Sequence, residues 1–500
     1  MRNILEYLEA TVRRKPYETA FSDGEKGMTF REVYDQARAI GSFLLSREFR
    51  GKPVAVLLGR EPRTVAAFLG AIYGGCYYVP LDREMPRERL EQILATLTPG
   101  ALICAEEDEK LAESLNCGEI IPYGRAAFGI IREEALAQAR ETQLDTDPIY
   151  VVFTSGSTGV PKGVIGSHRA VIDYIENLCP VLKFHEKTVF GNQTPLYFDA
   201  CLKELLPALK FGGRVVFIPK KLFTSPVRLV EFLNQQKINT LCWVTSALTL
   251  VSSLGTFETI RPRFLQTVAF ASEVFPVRQL EKWRRACPGA RFLNLYGPTE
   301  TTGICCYYEV DREFSEEETL PIGRPFPNTQ ILLLDETGKP AAPGEPGEIC
   351  IRGTRLTLGY YRDEQRTAEA FIQNPLQDLY PEKIYRTGDL GRYNDRGELL
   401  FLGRRDNQIK HMGHRIELGE IETAAAALAG VRSVCCVYDG ENQRIVLYYT
   451  GPREPRLLGE GLKEKLPRYM LPQTLRHLTA MPMTPNGKID RNLLRRAGGK

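Results

Sequence analysis

Short apolar runs alternate with segments of helical periodicity from the N-terminus to beyond residue 240. Apolar runs at 54–58, 77–79 and 101–105 are separated by helical patterns at 63–73 and 90–97. Further runs typical of buried strands follow at 241–244, 265–270 and 292–295. Alternation of this kind indicates an α/β fold in which the strands are largely parallel and helices flank the sheets.

The residue composition and the hydrophobic pattern of the chain change near residue 321. Glycine and proline become frequent, and short alternating strands are predicted at 330–334 and 348–352, which is typical of a β-rich subdomain over 321–403. An amphipathic helix near 417–428 then begins a compact tail. Because 500 residues exceed one compact core, we predict a large N-terminal domain at 1–403 and a small, mobile α+β domain at 404–500.

The charge balance favours neither nucleic acid nor an anionic membrane as a partner. With 65 basic and 62 acidic residues the net charge is only +3, which gives no reason to expect either of them. No run approaches the ~18 apolar residues of a membrane span. Apolar residues at helical spacing, with Glu6, Glu9 and Arg13 between them, indicate that the N-terminal segment is an amphipathic helix and not a signal peptide.

The cysteines and histidines do not form a recognisable metal motif. The twelve cysteines contain no C-x-x-C pair and are typical of buried free thiols in a reducing compartment, so a cytoplasmic protein is expected. His411 and His414 have no third candidate ligand nearby in the sequence, which disfavours a zinc site.

A glycine- and hydroxyl-rich decapeptide, TSGSTGVPKG at 154–163, directly follows the apolar run 149–153. Its glycines and hydroxyl side chains suit a loop whose backbone N–H groups approach phosphates closely, although a flexible connection has a similar composition. It does not match the P-loop pattern. The candidate nucleotide-binding residues here are Thr154, Ser155, Gly156, Ser157, Thr158, Gly159 and Lys162.

Four further motifs follow in order: NLYGPTE at 294–300, YRTGDL at 385–390, GRRDNQIKHMGHRIELGEIE at 403–422 and NGKID at 486–490. With the decapeptide they resemble the adenylate-forming superfamily, which includes acyl-CoA synthetases, luciferases and the amino-acid adenylation domains of nonribosomal peptide synthetases. The resemblance covers essentially the whole chain. In length and in its last two motifs the chain is similar to free-standing amino-acid activators such as D-alanine–carrier protein ligase.

The resemblance implies an ATP site. Tyr296 would stack on adenine, Thr299 would contact the α-phosphate, and Glu300 would be a hard oxygen ligand for Mg²⁺. Asp389 would accept the ribose hydroxyls, with Arg404 as a further contact. The other residues of this set are Asn294, Leu295, Gly297 and Pro298.

Lys488 follows an Asn-Gly turn and, by itself, would be a surface lysine. In the family that the chain resembles, a lysine at this place bridges the substrate carboxylate and the α-phosphate. A positioned ammonium would offset the repulsion between these two anions, so Lys488 is the predicted catalytic residue, together with Thr299 and Glu300.

Asp199, in YFDACLKELL, is the residue that would distinguish an amino acid from a plain acid. The resemblance makes it the counter-ion of the substrate α-ammonium, and a buried carboxylate without that partner would be costly. The alternative is structural, because Asp199 precedes an apolar-periodic helix and would make a good N-cap.

The resemblance also implies a side-chain pocket. Lys203 could meet an acidic substrate side chain, or its ammonium could extend to solvent. Ala271 stands where D-alanine ligases typically have cysteine, and Ser272 where many relatives have glycine, which puts D-alanine in doubt. The other pocket residues are Ala200, Trp243, Ala269, Leu295, Gly303 and Ile304, with Lys488 at the reacting carboxylate.

The implied reaction has two steps: an amino acid is adenylated with release of pyrophosphate, then transferred to the phosphopantetheine thiol of a carrier protein. The carrier is expected on another protein or on a module trimmed from this chain. Asp406 would be the hinge between the two steps, or only a turn residue, and Gly413 would face the thiol channel. The alternatives are an acyl- or aryl-CoA synthetase and a non-catalytic nucleotide-binding relative.

Overall fold

The computed structural model describes residues 1–156, 160–316, 318–405, 408–440, 442–483 and 489–498. The chain folds into two compact units. The first consists of Met1–Arg83, Leu97–Val152 and Gly163–Gly403, and the second of Glu84–Thr96, Phe153–Lys162 and Arg404–Lys500. The predicted domain boundary at 403 stays a prediction.

The largest sheet has a parallel centre and antiparallel edges. Its strands, in spatial order, are Arg324–Pro325, Cys306–Glu309, Arg291–Tyr296, Thr267–Ala271, Thr240–Val244, Val189–Asn192, Arg214–Phe217, Thr19–Ser22 and Gly27–Thr29. The strands from Arg291–Tyr296 through Thr19–Ser22 run parallel. The carboxyl ends of parallel strands therefore share one edge, where side chains from distant parts of the sequence meet.

A second sheet of six strands is formed by residues between 53 and 167. Its spatial order is Glu119–Pro122, Ala101–Cys104, Pro53–Leu57, Tyr77–Leu81, Pro148–Thr154 and Lys162–Ser167. The β-rich part contains four strands that pair antiparallel, Thr329–Leu334, Gly347–Gly353, Lys383–Tyr393 and Phe371–Gln373, and a fifth strand, Leu399–Arg404, that pairs with Lys383–Tyr393. After residue 404 a hairpin of Gln408–His411 and His414–Glu417 precedes a sheet of Ser433–Asp439, Arg444–Thr450 and Thr474–His477.

Helices flank these sheets. They are Leu5–Arg14, Phe30–Ser46, Pro62–Tyr73, Arg87–Leu97, Glu109–Ser114, Tyr123–Ala127, Glu133–Glu141, His168–Leu182, Leu202–Phe211, Pro226–Gln235, Thr245–Ser253, Thr256–Thr259, Val277–Ala286, Glu364–Ala370, Leu418–Ala426, Pro455–Lys465 and Arg491–Gly498. In the part of the chain that the structure describes, none of them is long and apolar enough to cross a membrane.

The fold class predicted from the sequence, α/β with a β-rich subdomain and a smaller α+β tail, is confirmed. In the structure, Thr29 caps the helix Phe30–Ser46 through a reciprocal pair of hydrogen bonds with Glu32. The strand expected at 265–270 is shifted to Thr267–Ala271. Its first predicted residue, Leu265, is buried before the strand begins, and burial alone does not mark a strand boundary.

Candidate functional site

In the first unit, Asp199 is a buried carboxylate that is only half satisfied. Its Oδ1 accepts a hydrogen bond of 3.3 Å from the Thr299 hydroxyl, and its Oδ2 has no hydrogen-bond partner among the described residues. Burial raises the pKa of Asp199 to about 6; the Lys203 ammonium opposes this shift and the Glu300 carboxyl adds to it. A buried acceptor without a partner is costly unless a ligand or water completes it.

The structure disfavours the capping role of Asp199. The residue lies in a 3₁₀ turn, Asp199–Cys201, that leads into the helix Leu202–Phe211. The N-cap position of that helix is Cys201, and no side chain makes a capping hydrogen bond there. The carboxylate therefore does not stabilise the helix start in the way that the sequence pattern suggested.

A second buried polar atom, the Tyr174 hydroxyl, faces the same space and was not found from the sequence. It has no hydrogen-bond partner among the residues that the structure describes. Burial keeps the pKa of Tyr174 well above its usual value, and the Asp199 carboxylate adds to this, so the hydroxyl stays protonated. Tyr174 lies on the helix His168–Leu182 with ordinary helical spacing, which gives no sequence signal apart from its amphipathic position.

Gly303 leaves the space between these two groups open. Its φ is +89°, a left-handed conformation that favours glycine. A methyl group added to its Cα would lie 3.6 Å from Asp199 Oδ2 and 3.6 Å from the Tyr174 hydroxyl oxygen. Both unsatisfied atoms therefore border one space above Gly303, and that space suits a group that donates several hydrogen bonds, such as a primary ammonium.

The wall behind Gly303 is held by a buried ion pair. Arg355 is 0% exposed, and its Nε donates to Asp173 Oδ2 at 3.1 Å. Its Nη1 donates to the Ile304 carbonyl at 2.6 Å, and its own carbonyl accepts a 2.8 Å hydrogen bond from the Thr302 hydroxyl. Arg355 is thus a positioning residue for the segment Thr302–Ile304, and no motif marks it in the sequence.

We expect Arg355→Met to lower the free energy of unfolding by about 3–5 kcal/mol, because it leaves the Asp173 carboxylate in a largely buried place without its cation. Urea denaturation measures the change. Arg291→Met is the matched control, since Arg291 also joins a carboxylate, Glu309, to a backbone carbonyl, that of Val181. That pair is 21% and 43% exposed, so we expect a cost of at most about 1 kcal/mol. Equal costs would contradict the assignment.

The other pocket residues are largely apolar and buried. Trp243 donates its Nε1 hydrogen to the Gly191 carbonyl at 2.6 Å and so offers no free donor. Ser272 adopts a φ of +81°, which explains why a glycine would be natural at this position. The buried members of this set are Trp243, Ala269, Ala271, Leu295, Gly303 and Ile304, while Ala200 is partly exposed.

Lys203 is buried, at 3% exposure, so the alternative in which its ammonium extends to solvent is wrong. Its Nζ donates to the Ala200 carbonyl at 2.9 Å. The side chain turns back towards the first turn of its own helix because Ala200 lies three residues earlier.

In the first unit, the residues predicted to bind adenine and ribose, Tyr296 and Asp389, are hydrogen-bonded to each other. The Tyr296 hydroxyl donates to Asp389 Oδ2 at 2.5 Å, and both side chains are buried. The Thr387 hydroxyl accepts a hydrogen bond from the Asp389 backbone N–H. Asn294 donates to the Pro321 carbonyl at 2.8 Å. A Cβ at Gly297 would lie 2.0 Å from the Gly303 carbonyl oxygen, so the turn between the NLYGPTE motif and the pocket requires glycine there.

Glu300, the candidate magnesium ligand, is fully buried in the 3₁₀ turn Thr299–Thr301. Its Oε1 accepts a 2.8 Å hydrogen bond from the Tyr360 hydroxyl, and its carbonyl accepts two from Thr357. Across the described residues there is no group of three or more His, Cys, Asp or Glu side chains that could hold a metal. A lone carboxylate fits Mg²⁺ only where the ion is shared with substrate phosphates.

The second unit contains the described part of the phosphate loop. Thr154 Oγ1 is buried and, among the described residues, has no hydrogen-bond partner. The Ser155 hydroxyl donates to the Arg415 carbonyl at 2.6 Å. Lys162 begins the strand Lys162–Ser167, and Arg404 ends the strand Leu399–Arg404.

Several predicted residues lie outside the described residues. Ser157, Thr158 and Gly159 of the phosphate loop, the hinge candidate Asp406 and the catalytic candidate Lys488 belong to this group. Gly156, Pro298 and Gly413 are described.

Comparison with known proteins identifies the class. A family model described as "AMP-binding enzyme" matches residues 8–361. The chain therefore belongs to the AMP-binding enzyme family, as the motifs predicted, and is an AMP-forming ligase by class.

Individual similar proteins include nonribosomal peptide synthetases. Bacitracin synthase 1 of Bacillus licheniformis is 32% identical over 500 residues, which cover 99% of this chain but only 9% of the relative. Among solved structures, holo-AB3403, a four-domain nonribosomal peptide synthetase bound to AMP and glycine, has a TM-score of 0.71 at 28% identity, covering 98% of this chain and 36% of that one.

A CoA ligase has the same fold. The o-succinylbenzoate CoA synthetase of Bacillus subtilis has a TM-score of 0.84 at 20% identity, covering 99% of this chain and 98% of that one. At this identity the likeness shows the fold alone, so the choice between acceptors depends on the site and not on the architecture.

Proposed function

We propose that the chain activates an amino acid as its aminoacyl-adenylate and transfers it to the phosphopantetheine thiol of a carrier protein. The observation that carries the amino-acid part is the pair of unsatisfied buried atoms, Asp199 Oδ2 and the Tyr174 hydroxyl, above Gly303. An α-ammonium donates three hydrogen bonds and carries the charge that a buried carboxylate needs. A plain carboxylic acid would leave Asp199 buried and unpaired.

In the first step a carboxylate oxygen of the substrate attacks the α-phosphorus of ATP, and the bond to the β-phosphate oxygen breaks, so pyrophosphate leaves. Asp199 would orient the substrate through its ammonium. Thr299, which donates to Asp199 in the structure, stands beside the ammonium site and would also reach the α-phosphate. Lys488 would bring the two reacting anions together.

The nucleotide would be held by Tyr296 and Asp389, whose mutual hydrogen bond fixes both side chains, with Asn294, Leu295, Gly297 and Pro298 shaping the turn. Its phosphates or ribose would be contacted by the glycine- and hydroxyl-rich loop and by one arginine: Thr154, Ser155, Gly156, Ser157, Thr158, Gly159, Lys162 and Arg404. Glu300 would hold Mg²⁺, which when bound neutralises charge on the phosphates. The Tyr360 hydroxyl would keep the Glu300 carboxylate in place.

In the second step the carrier thiolate attacks the acyl carbon, a thioester forms and AMP leaves. We propose that the segment after Gly403 reorients between the steps about Asp406, with Gly413 beside the thiol. The relationship to bacitracin synthase 1 and to a four-domain peptide synthetase supports a carrier as acceptor. The cytoplasmic location and the similarity to D-alanine ligases remain part of this proposal.

The acceptor is tested by loading the adenylate onto alternative thiols. The purified chain is given its amino acid, Mg·ATP and either a phosphopantetheinylated carrier protein or free coenzyme A, and thioester is measured by intact mass. Thioester on the carrier, with none on coenzyme A, supports the proposal. Efficient formation of a coenzyme A thioester would favour the synthetase alternative, which the likeness to o-succinylbenzoate CoA synthetase keeps open.

The pKa of Asp199 gives a pH prediction. Only the ionised carboxylate pairs with an ammonium, and burial raises its pKa to about 6 in the free protein. We therefore expect kcat/KM for the amino acid to be constant well above pH 6 and to fall below it, by up to about tenfold per pH unit. Pyrophosphate exchange across pH 5–8 measures this, and a profile without a step near pH 6 would contradict it.

The same pKa has the opposite effect on stability. The folded-state value lies above the usual 3.8, so the contribution of Asp199 to stability is fully present below pH 3.8 and is lost as the pH rises through about 6. The ionised Asp199 carboxylate, which is the form that binds the substrate ammonium, therefore lowers the stability of the free protein. Asp199→Asn should remove both the step in kcat/KM and this loss of stability.

A further inference from the structure

In the second unit, the phosphate loop contacts the carboxyl-terminal segment Arg404–Lys500. The loop segment Phe153–Lys162 belongs to the same compact unit as that segment. Ser155, a predicted phosphate contact, donates its hydroxyl hydrogen to the Arg415 carbonyl at 2.6 Å. A hydroxyl has a single hydrogen, so Ser155 cannot donate to a phosphate oxygen while it makes this bond.

The carboxyl-terminal segment also brings a buried carboxylate to the loop. Glu420, on the helix Leu418–Ala426, is 3% exposed. Burial raises the pKa of Glu420, and the Arg89 guanidinium and the Gly156 backbone N–H oppose this shift. Backbone N–H groups of such a loop are natural ligands of phosphate. Glu420 therefore presents an anionic group to the part of the loop where a phosphate of ATP is expected.

Arg89 holds Glu420 in this place. Its Nη1 donates to Glu420 Oε1 at 2.5 Å, and both side chains are only 4% exposed. Arg89 lies on the helix Arg87–Leu97, in the segment Glu84–Thr96 of the same unit. A charge-assisted hydrogen bond that is closed to water is strong, and either charge alone would be costly there. Arg89 is thus a positioning residue for Glu420, although no motif marks it in the sequence.

We propose that Glu420, held by Arg89, competes with the phosphates of ATP for the phosphate loop. This inference rests on the proposed function and adds a regulatory contact to it. The loop cannot give the same donors to the carboxyl-terminal segment and to a nucleotide, so the two bound states exclude each other. ATP binding releases Glu420 and Arg415 from the loop. Departure of pyrophosphate frees the loop again, which favours the described arrangement for the thiol-transfer step.

The first test measures Mg·ATP binding by calorimetry, without any amino acid. Glu420→Gln keeps the size of the side chain and removes the competing charge. The apparent Kd of a ligand is raised when only a fraction of the protein is in the competent state, so we expect the Kd for Mg·ATP to be at least about threefold lower in the variant. Inorganic pyrophosphate should show a change in the same direction. Unchanged or weaker binding by the folded variant would overturn the proposal.

Variants of Arg89 test its part in the competition. Arg89→Met should also tighten Mg·ATP binding, because Glu420 is no longer held at the loop. Weaker binding would show that Arg89 itself serves the nucleotide, and would overturn its assignment. The double variant Arg89→Met/Glu420→Met leaves no buried charge alone and should fold, since replacing a buried ion pair by apolar groups is often neutral or stabilising. It too should bind Mg·ATP more tightly than the wild type.

Lys465→Met is the matched control. Lys465 forms the neighbouring ion pair with Glu88, at 2.9 Å, but these side chains are 27% and 44% exposed. An ion pair that is open to solvent contributes little, so we expect the Kd for Mg·ATP to be unchanged. Tighter binding in this variant, equal to that of Glu420→Gln, would mean that any loosened contact has the same effect, and would contradict the role given to Glu420.

The two half-reactions provide a second readout. With an amino acid that the wild type activates, pyrophosphate exchange in Glu420→Gln should be unchanged or faster. Thioester formation on a carrier should be at least about tenfold slower, because the arrangement that follows pyrophosphate release is less stable. Equal loss of both activities would indicate a purely structural role and overturn the inference. Absence of exchange with every amino acid in the wild type would refute the proposed function, whereas the comparison of Mg·ATP binding needs no amino acid.

Discussion

Lys488→Ala is expected to lower adenylation by a factor on the order of 10²–10³, which is the scale of losing one preorganised charge-stabilising donor. The carboxylate of the substrate and the α-phosphate of ATP are both anions, and without the ammonium their approach is opposed. Pyrophosphate exchange at saturating substrate measures the effect.

The control for this variant is Lys463→Ala, an exposed lysine on the helix Pro455–Lys465. It should leave exchange unchanged, because a single surface charge that is screened by solvent and salt contributes little to reacting groups elsewhere. If Lys488→Ala retains near-wild-type exchange with an unchanged circular dichroism spectrum, Lys488 is not the catalytic lysine.

Asp199→Asn has the second large effect. The amide is nearly the same size as the carboxyl but has no charge, so we expect kcat/KM for the amino acid to fall by at least about a hundredfold. The KM for ATP should not change. The preference for the amino acid over its deaminated analogue should decrease. The analogue has no ammonium, so it loses no interaction when the Asp199 carboxylate is replaced by an amide.

The stability of Asp199→Asn separates recognition from structure. Asp199 does not cap the helix Leu202–Phe211, and its ionised form is disfavoured by burial. The variant should therefore be as stable as the wild type at pH 7, or more stable, in urea denaturation. A marked loss of stability together with unchanged turnover of the amino acid would show that the carboxylate has only a structural role.

Much of the fold could be predicted because its signals are local. The alternation of apolar runs and helical patterns marks strands such as Pro53–Leu57 and helices such as Pro62–Tyr73, each within a residue or two. The spatial order of the strands could not be predicted in the same way. Neighbours such as Val189–Asn192 and Thr240–Val244 are set by tertiary packing and carry no local mark.

The residues of the candidate site also fall into two groups, those that the sequence identifies and those that only the structure identifies. Asp199, Thr299 and Glu300 stand in sequence motifs, so the resemblance to the family is enough to single them out. Tyr174 and Arg355 stand in no motif, and they became candidates only because the fold brings them to Gly303 and Ile304. A buried atom without a partner is a property of three-dimensional packing, so the ammonium site could be argued in full only from the structure.

The central claim, that an amino acid is the acid activated, is tested most directly by pyrophosphate exchange with the wild-type chain. Each amino acid is paired with the carboxylic acid that lacks only its α-amino group, and both are measured at the same concentration above pH 7, where Asp199 is ionised. We predict that one or a few amino acids support exchange at least about a hundred times faster than their deaminated partners. Equal or faster exchange with the deaminated acids would contradict the account.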